Sequence, residues 1–314
     1  MKLGLGTAAL GRPQYINVRQ HTPKNSDLET FKKQSFAVLE NAYNLGVRYF
    51  DTAPGYGLAE ELVLEWLQTK EDNTIEVATK WGYTYTANFD ANATIHEVKE
   101  HSLSKLKAQW NFSKKLLPYL KVYQIHSATL ETGVLKNTDV LTYLAFLKRE
   151  HKLKIGLTTT GTNQLEVIKK ALDVSVNGIQ VFDLFQVTYN FLDQSLLEIS
   201  AELIRQNKQI VIKEALANGR VFRNKSYPHY NKMYATLEGL SKKHNVGVDA
   251  ISLKYCEQTI PNSMVLSGAS NSEQLIENLR LHTFTLSNDD IAVLNGLKIT
   301  PDFYWTERKK LAWN

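Results

Sequence analysis

Two side chains that can exchange protons stand five positions apart in the segment FDTAPGYG, residues 50–57. Asp51 supplies a carboxylate and Tyr56 supplies a phenol. Further along the chain, Lys80 adds an ammonium in VATKWG and His126 adds an imidazole in VYQIHS. All four are groups that proteins use to hold or transfer protons during catalysis. Their types predict acid–base chemistry, provided that the fold brings them together.

Each of these residues lies at or just after the end of a short apolar run. Eight such runs alternate with stretches of helical spacing, which is typical of parallel strand–helix–strand units. The predicted strands cover residues 2–8, 47–53, 75–81, 120–127, 154–160, 184–190, 209–215 and 264–270. The predicted helices run from Ser26 to Gly46, near 59–68, 94–110, 139–151, 164–173, 194–207, 232–244, 248–258 and 272–281, and from Ser287 onward. Ser26 and Glu29 predict a capping box, and Gly46 predicts a left-handed helix end.

Eight alternating strands predict a closed (β/α)8 TIM barrel, parallel throughout, with a C-terminal helix and tail. We expect residues 1–314 to form this barrel as a single domain. A doubly wound open sheet is the competing fold, and it usually carries G-x-G-x-x-G after its first strand. The segment GLGTAALG departs from that fingerprint at Ala9. Because barrels carry their chemistry at the C-terminal ends of the strands, the barrel would gather the four proton-handling residues on one face.

Composition narrows the class of protein. The chain has 314 residues, of which 43% are hydrophobic and 22% charged, as in a soluble globular protein with a large core. The single cysteine, Cys256, allows no internal disulfide and no metal site through sulfur, so we expect a reducing compartment and no metal. We predict no signal peptide and no membrane span, which favours the cytoplasm. The net charge of +5 is dispersed, which predicts no nucleic-acid partner, and no pattern indicates an oligomeric state.

The sequence resembles the aldo-keto reductases, which are NAD(P)H-dependent carbonyl reductases built on a (β/α)8 barrel. Besides the three segments quoted above, the resemblance rests on GLTTTG (156–161), Gln186 with TYN (188–190), LANGR (216–220) and SGASNSEQLIEN (267–278). Order and spacing agree from the first predicted strand to the eighth. The resemblance implies reduction of an aldehyde or ketone to an alcohol, with sugars among the candidate substrates.

Within this resemblance the four residues take defined catalytic roles. Tyr56 is the expected general acid, although a free tyrosine has a pKa of about 10 and is a weak acid at neutral pH. Lys80 is expected to lower the pKa of that phenol, and Asp51 to keep Lys80 protonated. A neutral His126 is expected to hydrogen-bond the substrate oxygen and to aim it at Tyr56.

The resemblance also implies a nicotinamide cofactor along the ends of the later strands. Thr158, Thr159 and Gln186 match the residues that hold the nicotinamide carboxamide, with the two threonines in place of the more usual Ser-Asn. Lys213 and Glu214 stand where many relatives have a stacking aromatic residue, which predicts an ionic wall instead. The remaining expected cofactor contacts are Leu216, Gly219, Arg220, Gly268, Ala269, Ser270, Gln274, Glu277 and Asn278.

Gly268 and Gln274 occupy positions where strongly selective relatives carry Lys and Arg for the 2′-phosphate. Hydroxyls and the start of the following helix remain as anion-binding groups. We therefore expect NADP(H) to be preferred and NAD(H) to be accepted.

Trp81 is expected to form one wall of the substrate pocket. The loops 12–25, 83–93 and 220–231 and the tail 303–314 are candidate lids or surface packing.

Two other functions use many of the same residues. A class I aldolase employs a barrel lysine as a Schiff base, and both Lys80 and Lys213 stand at strand ends. Such an aldolase leaves Tyr56 and the segment 267–278 unexplained. A non-catalytic barrel that binds the cofactor and reports redox state to a partner keeps every motif. Steady turnover of any carbonyl compound would exclude this sensor.

Overall fold

Eight parallel strands close into a barrel in the computed structural model, which describes residues 3–12, 27–90 and 93–311. They are β1 (Leu3–Gly6), β2 (Tyr49–Asp51), β3 (Glu76–Trp81), β4 (Leu120–Ala128), β5 (Lys154–Thr159), β6 (Leu184–Thr188), β7 (Gln209–Lys213) and β8 (Met264–Ser267). Strands that follow each other along the chain pair side by side, and β8 pairs with β1 to close the ring. The predicted (β/α)8 TIM barrel is therefore confirmed, and all eight predicted strands belong to it.

Helices connect these strands and surround the barrel. They are α1 (Ala8–Gly11), α2 (Leu28–Asn44), α3 (Ala59–Leu67), α4 (Leu103–Ser113), α5 (Thr138–His151), α6 (Gln164–Leu172), α7 (Leu197–Arg205), α8 (Asn231–His244), α9 (Val248–Thr259), α10 (Ser272–Leu279), α11 (Asn288–Asn295) and α12 (Pro301–Lys309). Two small antiparallel sheets are separate from the barrel. One pairs Tyr83–Tyr85 with Glu97–Lys99 and is called the hairpin below, and the other pairs Ser175–Val176 with Ile179–Gln180.

Most predicted helices are present, but the start of α2 differs. The N-cap of α2 is Asp27, whose carboxylate accepts a hydrogen bond of 2.9 Å from the backbone N–H of Thr30. Asp27 therefore performs the capping that was expected of Ser26 with Glu29, and Ser26 itself lies outside the described residues. The left-handed conformation expected at Gly46 is confirmed by its φ of 90°.

The helix predicted over 94–110 begins later than its spacing indicates. Residues 97–99 form the second strand of the hairpin, and α4 begins at Leu103 after the N-cap Ser102. The prediction fails here because the backbone N–H and C=O groups of 97–99 bond to Tyr83–Tyr85, a partner that local spacing does not reveal. The tail segment is also more ordered than a loop, since most of it forms α12.

The interior of the barrel has an apolar layer below a polar layer. The apolar layer is a buried cluster of Tyr49, Ala78, Val122, Leu184, Val211 and Leu266. Side chains two positions apart on a strand point to the same face, so the next inward positions lie closer to the C-terminal ends of the strands. Those positions are Asp51, Lys80, Gln124, Gln186, Lys213 and Gly268. The strand period thus carries polar groups to the end of the barrel where catalysis is expected.

Candidate active site

A buried ion pair lies in the polar layer of the barrel. Lys80 Nζ pairs with Asp51 Oδ2, and the two side chains are 0% and 3% exposed. The ammonium also donates to the carbonyl oxygen of Thr52 at 3.1 Å. The other carboxylate oxygen accepts hydrogen bonds from Gln186 Nε2 at 2.8 Å and from Gln124 Nε2 at 3.4 Å. Polar groups from β2, β3, β4 and β6 therefore offset the desolvation penalty of the two buried charges.

Tyr56 lies above this ion pair at the end of a short 3-10 turn, Pro54–Tyr56. The turn continues through Gly57, where φ is 65° and an added Cβ would lie 2.5 Å from the carbonyl oxygen of Gly11. Only glycine fits such a position. The turn places the Tyr56 ring with its centroid 4.6 Å from Lys80 Nζ and its hydroxyl 3.5 Å from His126 Nε2.

His126 completes the group from β4. Its ring meets the rings of Tyr56 and Tyr83 edge to face, with centroid distances of 5.3 and 4.7 Å. Burial lowers the pKa of His126 well below its ordinary value, and the positive charges of Lys80 and Lys213 lower it further. The imidazole is therefore neutral at neutral pH. The fold thus brings together all four residues that the sequence selected.

The pKa of Tyr56 moves in the direction opposite to the one expected from the sequence. Burial raises the pKa of the phenol well above its ordinary value, and the negative charge of Asp51 raises it further against the opposing effect of Arg12. Lys80, whose Nζ lies 4.6 Å from the centroid of the Tyr56 ring, does not reverse this because Asp51 compensates its charge. The phenol therefore keeps its proton in the resting protein.

The three expected carboxamide-binding residues have different surroundings. Thr158 is buried, and its hydroxyl oxygen accepts a hydrogen bond of 2.7 Å from the backbone N–H of Ser127. Gln186 donates to Asp51, as described above. Thr159 belongs to the outward-facing set of β5, and its hydroxyl lies 3.3 Å from Gln164 Oε1. Thr158 and Gln186 thus reach the polar layer, whereas Thr159 is directed toward α6.

Lys213 and Glu214 do line one wall at the end of β7. Lys213 Nζ donates to Thr188 Oγ1 at 2.7 Å, lies 3.8 Å from the Glu214 carboxylate and lies 5.9 Å from the ring centroid of Trp305 on α12. Burial lowers the pKa of the Lys213 ammonium. The ionic wall expected from the sequence is therefore present, and the C-terminal helix forms part of it.

Glu214 and Arg220 fasten α12 to the barrel. Glu214 accepts hydrogen bonds from Arg308 Nε at 3.2 Å and from the hydroxyl of Tyr304 at 3.3 Å. Arg220 is completely buried, stacks on the Tyr304 ring and donates to Glu307 at 2.8 Å. Arg220 was expected to contact the cofactor, but its guanidinium is engaged by residues of α12. Two further expected cofactor residues, Leu216 and Gly219, lie in the turn that leads to it.

The segment after β8 leaves one side of its backbone open. Gly268 is exposed, and an added Cβ there would meet nothing within 4 Å. Ala269 is buried behind it. The Gln274 side chain folds back to accept hydrogen bonds from the backbone N–H and the hydroxyl of Ser270, at 2.9 and 3.1 Å. Asn271 caps α10 by accepting from the backbone N–H of Gln274. Backbone and hydroxyl groups thus surround an open space at the start of α10.

Glu277 and Asn278 were expected to contact the cofactor, but their polar atoms are used inside the protein. Glu277 accepts from the backbone N–H of Gly247 at 2.5 Å. Asn278 is buried, accepts from the hydroxyl of Ser267 at 2.7 Å and donates to Asp249 at 2.7 Å. Both residues therefore tie α10 to β8 and α9, a role that only the packing of these elements reveals.

Trp81 was expected to form one wall of the substrate pocket, but the aromatic residue next to His126 is Tyr83. Trp81 follows Lys80 on β3, so its side chain points to the opposite face, where it is completely buried in the outer core. Tyr83, at the start of the hairpin, contacts His126 instead. The hairpin is held by an ion pair of 2.7 Å between Arg12 and Glu97. Tyr83 belongs to the loop 83–93, a candidate lid in the sequence, and its pairing with residues 97–99 was missed because those residues were predicted as part of a helix.

Gln124 was also missed, although the period of two that leads from Gln124 to His126 along β4 was a usable signal.

Beyond the strand ends, a cavity of about 390 Å³ is lined by residues after β4, residues after β5 and α12, among them Thr129, Thr160 and Trp305. The loop 12–25 proposed as a lid lies, from residue 13 onward, outside the described residues. In the described ranges, no cluster of three or more His, Cys, Asp or Glu side chains is arranged to hold a metal, and no helix is long and apolar enough to cross a membrane.

Comparison with known sequences gives a consistent family assignment. Residues 2–299 match the sequence model of the aldo/keto reductase family. An uncharacterised oxidoreductase of Bacillus subtilis is 25% identical over 303 residues, which cover 86% of this chain and 89% of that protein. L-galactose dehydrogenase of Arabidopsis thaliana is 27% identical over 259 residues, which cover 77% and 76%. The NADH-specific methylglyoxal reductase of Escherichia coli is 21% identical over 328 residues, which cover 94% of each chain.

Solved structures share the fold at low identity. The glycerol dehydrogenase from Gluconobacter oxydans superposes with a TM-score of 0.71 at 18% identity, over 94% of this chain and 90% of that one. An aldo-keto reductase from Bacillus halodurans, in its holo form, gives a TM-score of 0.71 at 20% identity, over 95% and 92%. These likenesses establish the barrel architecture.

The contacts of Glu214 predict a pH-dependent stability. Burial opposes ionisation of this carboxyl, but Arg308, Lys213 and Arg220 together lower its pKa from 4.5 to about 2. Glu214→Gln should therefore lower the free energy of unfolding at neutral pH by roughly 3 kcal/mol, because it leaves buried cations uncompensated. The carboxylate stabilises the native protein fully above its unfolded pKa, and this contribution is lost as the pH falls toward 2. Urea denaturation over that pH range measures the difference.

A matched control is Glu202→Gln, which removes a carboxylate from the exposed pair with Arg205 on α7. This control should leave the unfolding midpoint at the wild-type value. A difference between wild type and Glu214→Gln that stays constant with pH would contradict the assigned role of Glu214.

Proposed function

Because the chain belongs to the aldo/keto reductase family, we propose that it reduces an aldehyde or ketone to an alcohol with a reduced nicotinamide nucleotide. One observation carries this proposal. The Tyr56 hydroxyl stands 3.5 Å from the neutral imidazole of His126 and above the buried pair of Lys80 and Asp51, at the C-terminal end of the barrel. A proton donor, a neutral hydrogen-bonding group and a buried positive charge thus face the same region.

The first proposed step is the placement of the substrate oxygen. A neutral imidazole has one N–H donor, and His126 is close enough to Tyr56 for one oxygen atom to receive hydrogen bonds from both side chains. Tyr83 packs against His126 and restricts the orientation of its ring. Held between the two donors, the carbonyl carbon is activated for attack.

The second proposed step is proton transfer from Tyr56. A reduced nicotinamide nucleotide bound here would supply a hydride to the carbonyl carbon. Tyr56 then gives its proton to the oxygen, which becomes an alkoxide as the hydride arrives and is a stronger base than a phenolate. The raised pKa of the resting phenol is compatible with this role, since the proton is present when it is required. Lys80 stabilises the phenolate that remains, and this attraction develops only as the reaction proceeds.

The residues present fit a dinucleotide. The open space at Gly268, beside the start of α10, leaves room for a phosphate to approach the backbone. The hydroxyl of Thr158 retains a proton to donate, since its oxygen is an acceptor for Ser127, whereas the hydroxyl of Ser270 donates to Gln274. We propose Thr158, Gln186 and Lys213 near the nicotinamide, and Gly268, Ala269, Ser270 and Gln274 near the phosphates. Leu216 and Gly219 would border the pyrophosphate. Thr159, Glu214, Arg220, Glu277 and Asn278 support this surface from behind.

Tyr56→Phe tests the proposed acid. The substitution keeps the ring and removes the proton, so turnover should fall by at least ~10² while the dissociation constant of the reduced cofactor barely changes. Tyr119→Phe is the matched control, because its hydroxyl bonds to the Lys70 carbonyl at the opposite end of β4. Steady-state rates on a panel of aldehydes, ketones and aldoses, with cofactor binding followed by fluorescence, measure both effects. Wild-type turnover in Tyr56→Phe would refute the assignment, and absence of turnover by the wild-type protein on the whole panel would favour the redox sensor.

Cofactor preference is a second test. No Lys or Arg stands at Gly268 or Gln274, so discrimination rests on hydroxyls, backbone N–H groups and the helix start. We expect NADPH to bind about ten- to thirtyfold more tightly than NADH. The methylglyoxal reductase relative is NADH-specific, so both forms must be compared. Fluorescence titration gives the two dissociation constants, and tighter binding of NADH would overturn the preference.

Covalent chemistry at a lysine is the third test. Lys80 is buried under Tyr56 and Lys213 is held by Thr188, so neither ammonium is placed as a free nucleophile. Borohydride treatment in the presence of carbonyl substrates should leave both lysines unmodified in peptide mass maps. An adduct at either residue would support the class I aldolase.

A further inference from the structure

The backbone immediately after His126 departs from the regular pairing of the barrel. The register between β4 and β5 shifts between Ile125 and Ala128. Within this irregular stretch, Ser127 has a left-handed φ of 53°. Non-glycine residues adopt this conformation at a cost and keep it only where the surrounding structure enforces it. The position of the His126 imidazole therefore depends on the contacts that hold this bulge.

Two side chains make those contacts. The backbone N–H of Ser127 donates to Thr158 Oγ1 at 2.7 Å. The carbonyl oxygen of His126 accepts a hydrogen bond of 2.9 Å from His101 Nε2. Thr158 belongs to the neighbouring strand β5, whereas His101 comes from the segment between the hairpin and α4. These bonds replace ladder hydrogen bonds that a bulge removes.

His101 occupies a closely fitting site. A Cβ added to Gly82 would lie 2.5 Å from His101 Nε2, and Gly82 has a φ of 114° that L side chains rarely adopt. The ring also meets Trp81 edge to face, with a centroid distance of 5.4 Å. The backbone N–H of Glu100 donates to the Gly82 carbonyl at 2.8 Å, which ties the residue before His101 to the end of β3. These contacts at the end of β3 fix the position of the His101 imidazole, independently of its hydrogen bond to β4.

The protonation state of His101 suits this bond. Burial lowers the pKa of the imidazole to about 4, and the charge of Lys99 lowers it further. A neutral ring that donates from Nε2 carries its lone pair on Nδ1. Nδ1 is a buried atom that has no hydrogen-bond partner among residues 3–12, 27–90 and 93–311. The bond to the His126 carbonyl is therefore the one polar interaction found for this ring within those ranges.

We propose that His101 is a positioning residue for His126, acting through the backbone carbonyl of that residue. This inference rests on the proposed function, in which His126 orients the substrate oxygen. His101 holds the bulge from outside the barrel, as Thr158 holds it from inside. Loss of the bond lets the segment 126–127 relax and moves the His126 imidazole away from Tyr56.

Three variants separate the hydrogen bond from packing. His101→Gln places an amide N–H₂ where the histidine has Nε2 and keeps the donor. His101→Leu fills part of the same space without a donor. His151→Leu is the control, because His151 also packs against a tryptophan, Trp110, at a centroid distance of 5.0 Å on the outside of the barrel. His101→Asn, whose nitrogen falls short of the carbonyl, replaces His101→Leu if that variant does not fold.

Two readouts are needed. Steady-state kinetics on the aldehyde, ketone and aldose panel should show kcat lowered about tenfold in His101→Leu, with the dissociation constant of NADPH unchanged. In His101→Gln, kcat should return to within about threefold of wild type. Nitrogen-15 spectra of histidine-labelled protein, in which the His126 ring signals are assigned with His126→Gln, should show these signals shifted in His101→Leu and retained in His101→Gln and His151→Leu.

The spectra do not require turnover, so the inference and the proposed function fail separately. Unchanged His126 signals in His101→Leu would overturn the positioning role even if Tyr56→Phe is inactive. An equal loss of kcat in His101→Gln and His101→Leu would also overturn it, since packing rather than the hydrogen bond would then account for the effect. Shifted His126 signals with an unchanged kcat would support the positioning role and refute the proposed role of His126.

Discussion

The buried ion pair between Lys80 and Asp51 is the constraint on which the rest of the site depends. Two opposite charges in the middle of a barrel are costly to desolvate, and the cost is met only when additional hydrogen bonds satisfy both groups. Gln186 on β6, Gln124 on β4 and the carbonyl of Thr52, which directly follows β2, provide those bonds. The pair thus fixes the relative positions of β2, β3, β4 and β6 in the polar layer. Removal of either partner would leave an uncompensated buried charge, so the same interaction supports both the fold and the chemistry.

The charge compensation also explains the unexpected pKa of Tyr56. A free ammonium next to the phenol would favour the phenolate, but the charge of the Lys80 ammonium is compensated by Asp51, so it does not outweigh burial. Burial therefore dominates, and the proton stays on the ring. His126 remains neutral for a related reason, since burial and the charges of Lys80 and Lys213 lower its pKa. The site holds a proton donor and a neutral hydrogen-bonding group without any residue in an unfavourable charge state.

Two elements outside the barrel complete the site, and ion pairs near the end of the barrel hold each of them in place. The hairpin brings Tyr83 to His126 and is fastened by the pair of Arg12 and Glu97. Helix α12 brings Trp305 to Lys213 and is fastened by Glu214 and Arg220 through the interactions with Arg308 and Glu307. Glu214 and Arg220, which match cofactor contacts in the sequence, therefore hold one wall of the site. Buried cations and carboxylates must be paired, and the available partners are those that the tertiary structure supplies.

The sequence by itself determined the eight strands, most of the helices and the four residues of the polar centre. It could do so because the period of two along each strand and the position of each strand end are local properties of the chain. The tertiary structure alone decided that Trp81 lies in the outer core, that residues 97–99 form a hairpin, and that Arg220, Glu277 and Asn278 are used internally. It also decided the direction of the Tyr56 pKa. These outcomes depend on partners that lie outside the local sequence pattern, as between Arg220 and Glu307, whose separation is 87 residues. Burial and charge compensation are set by such distant partners, and no local pattern specifies them.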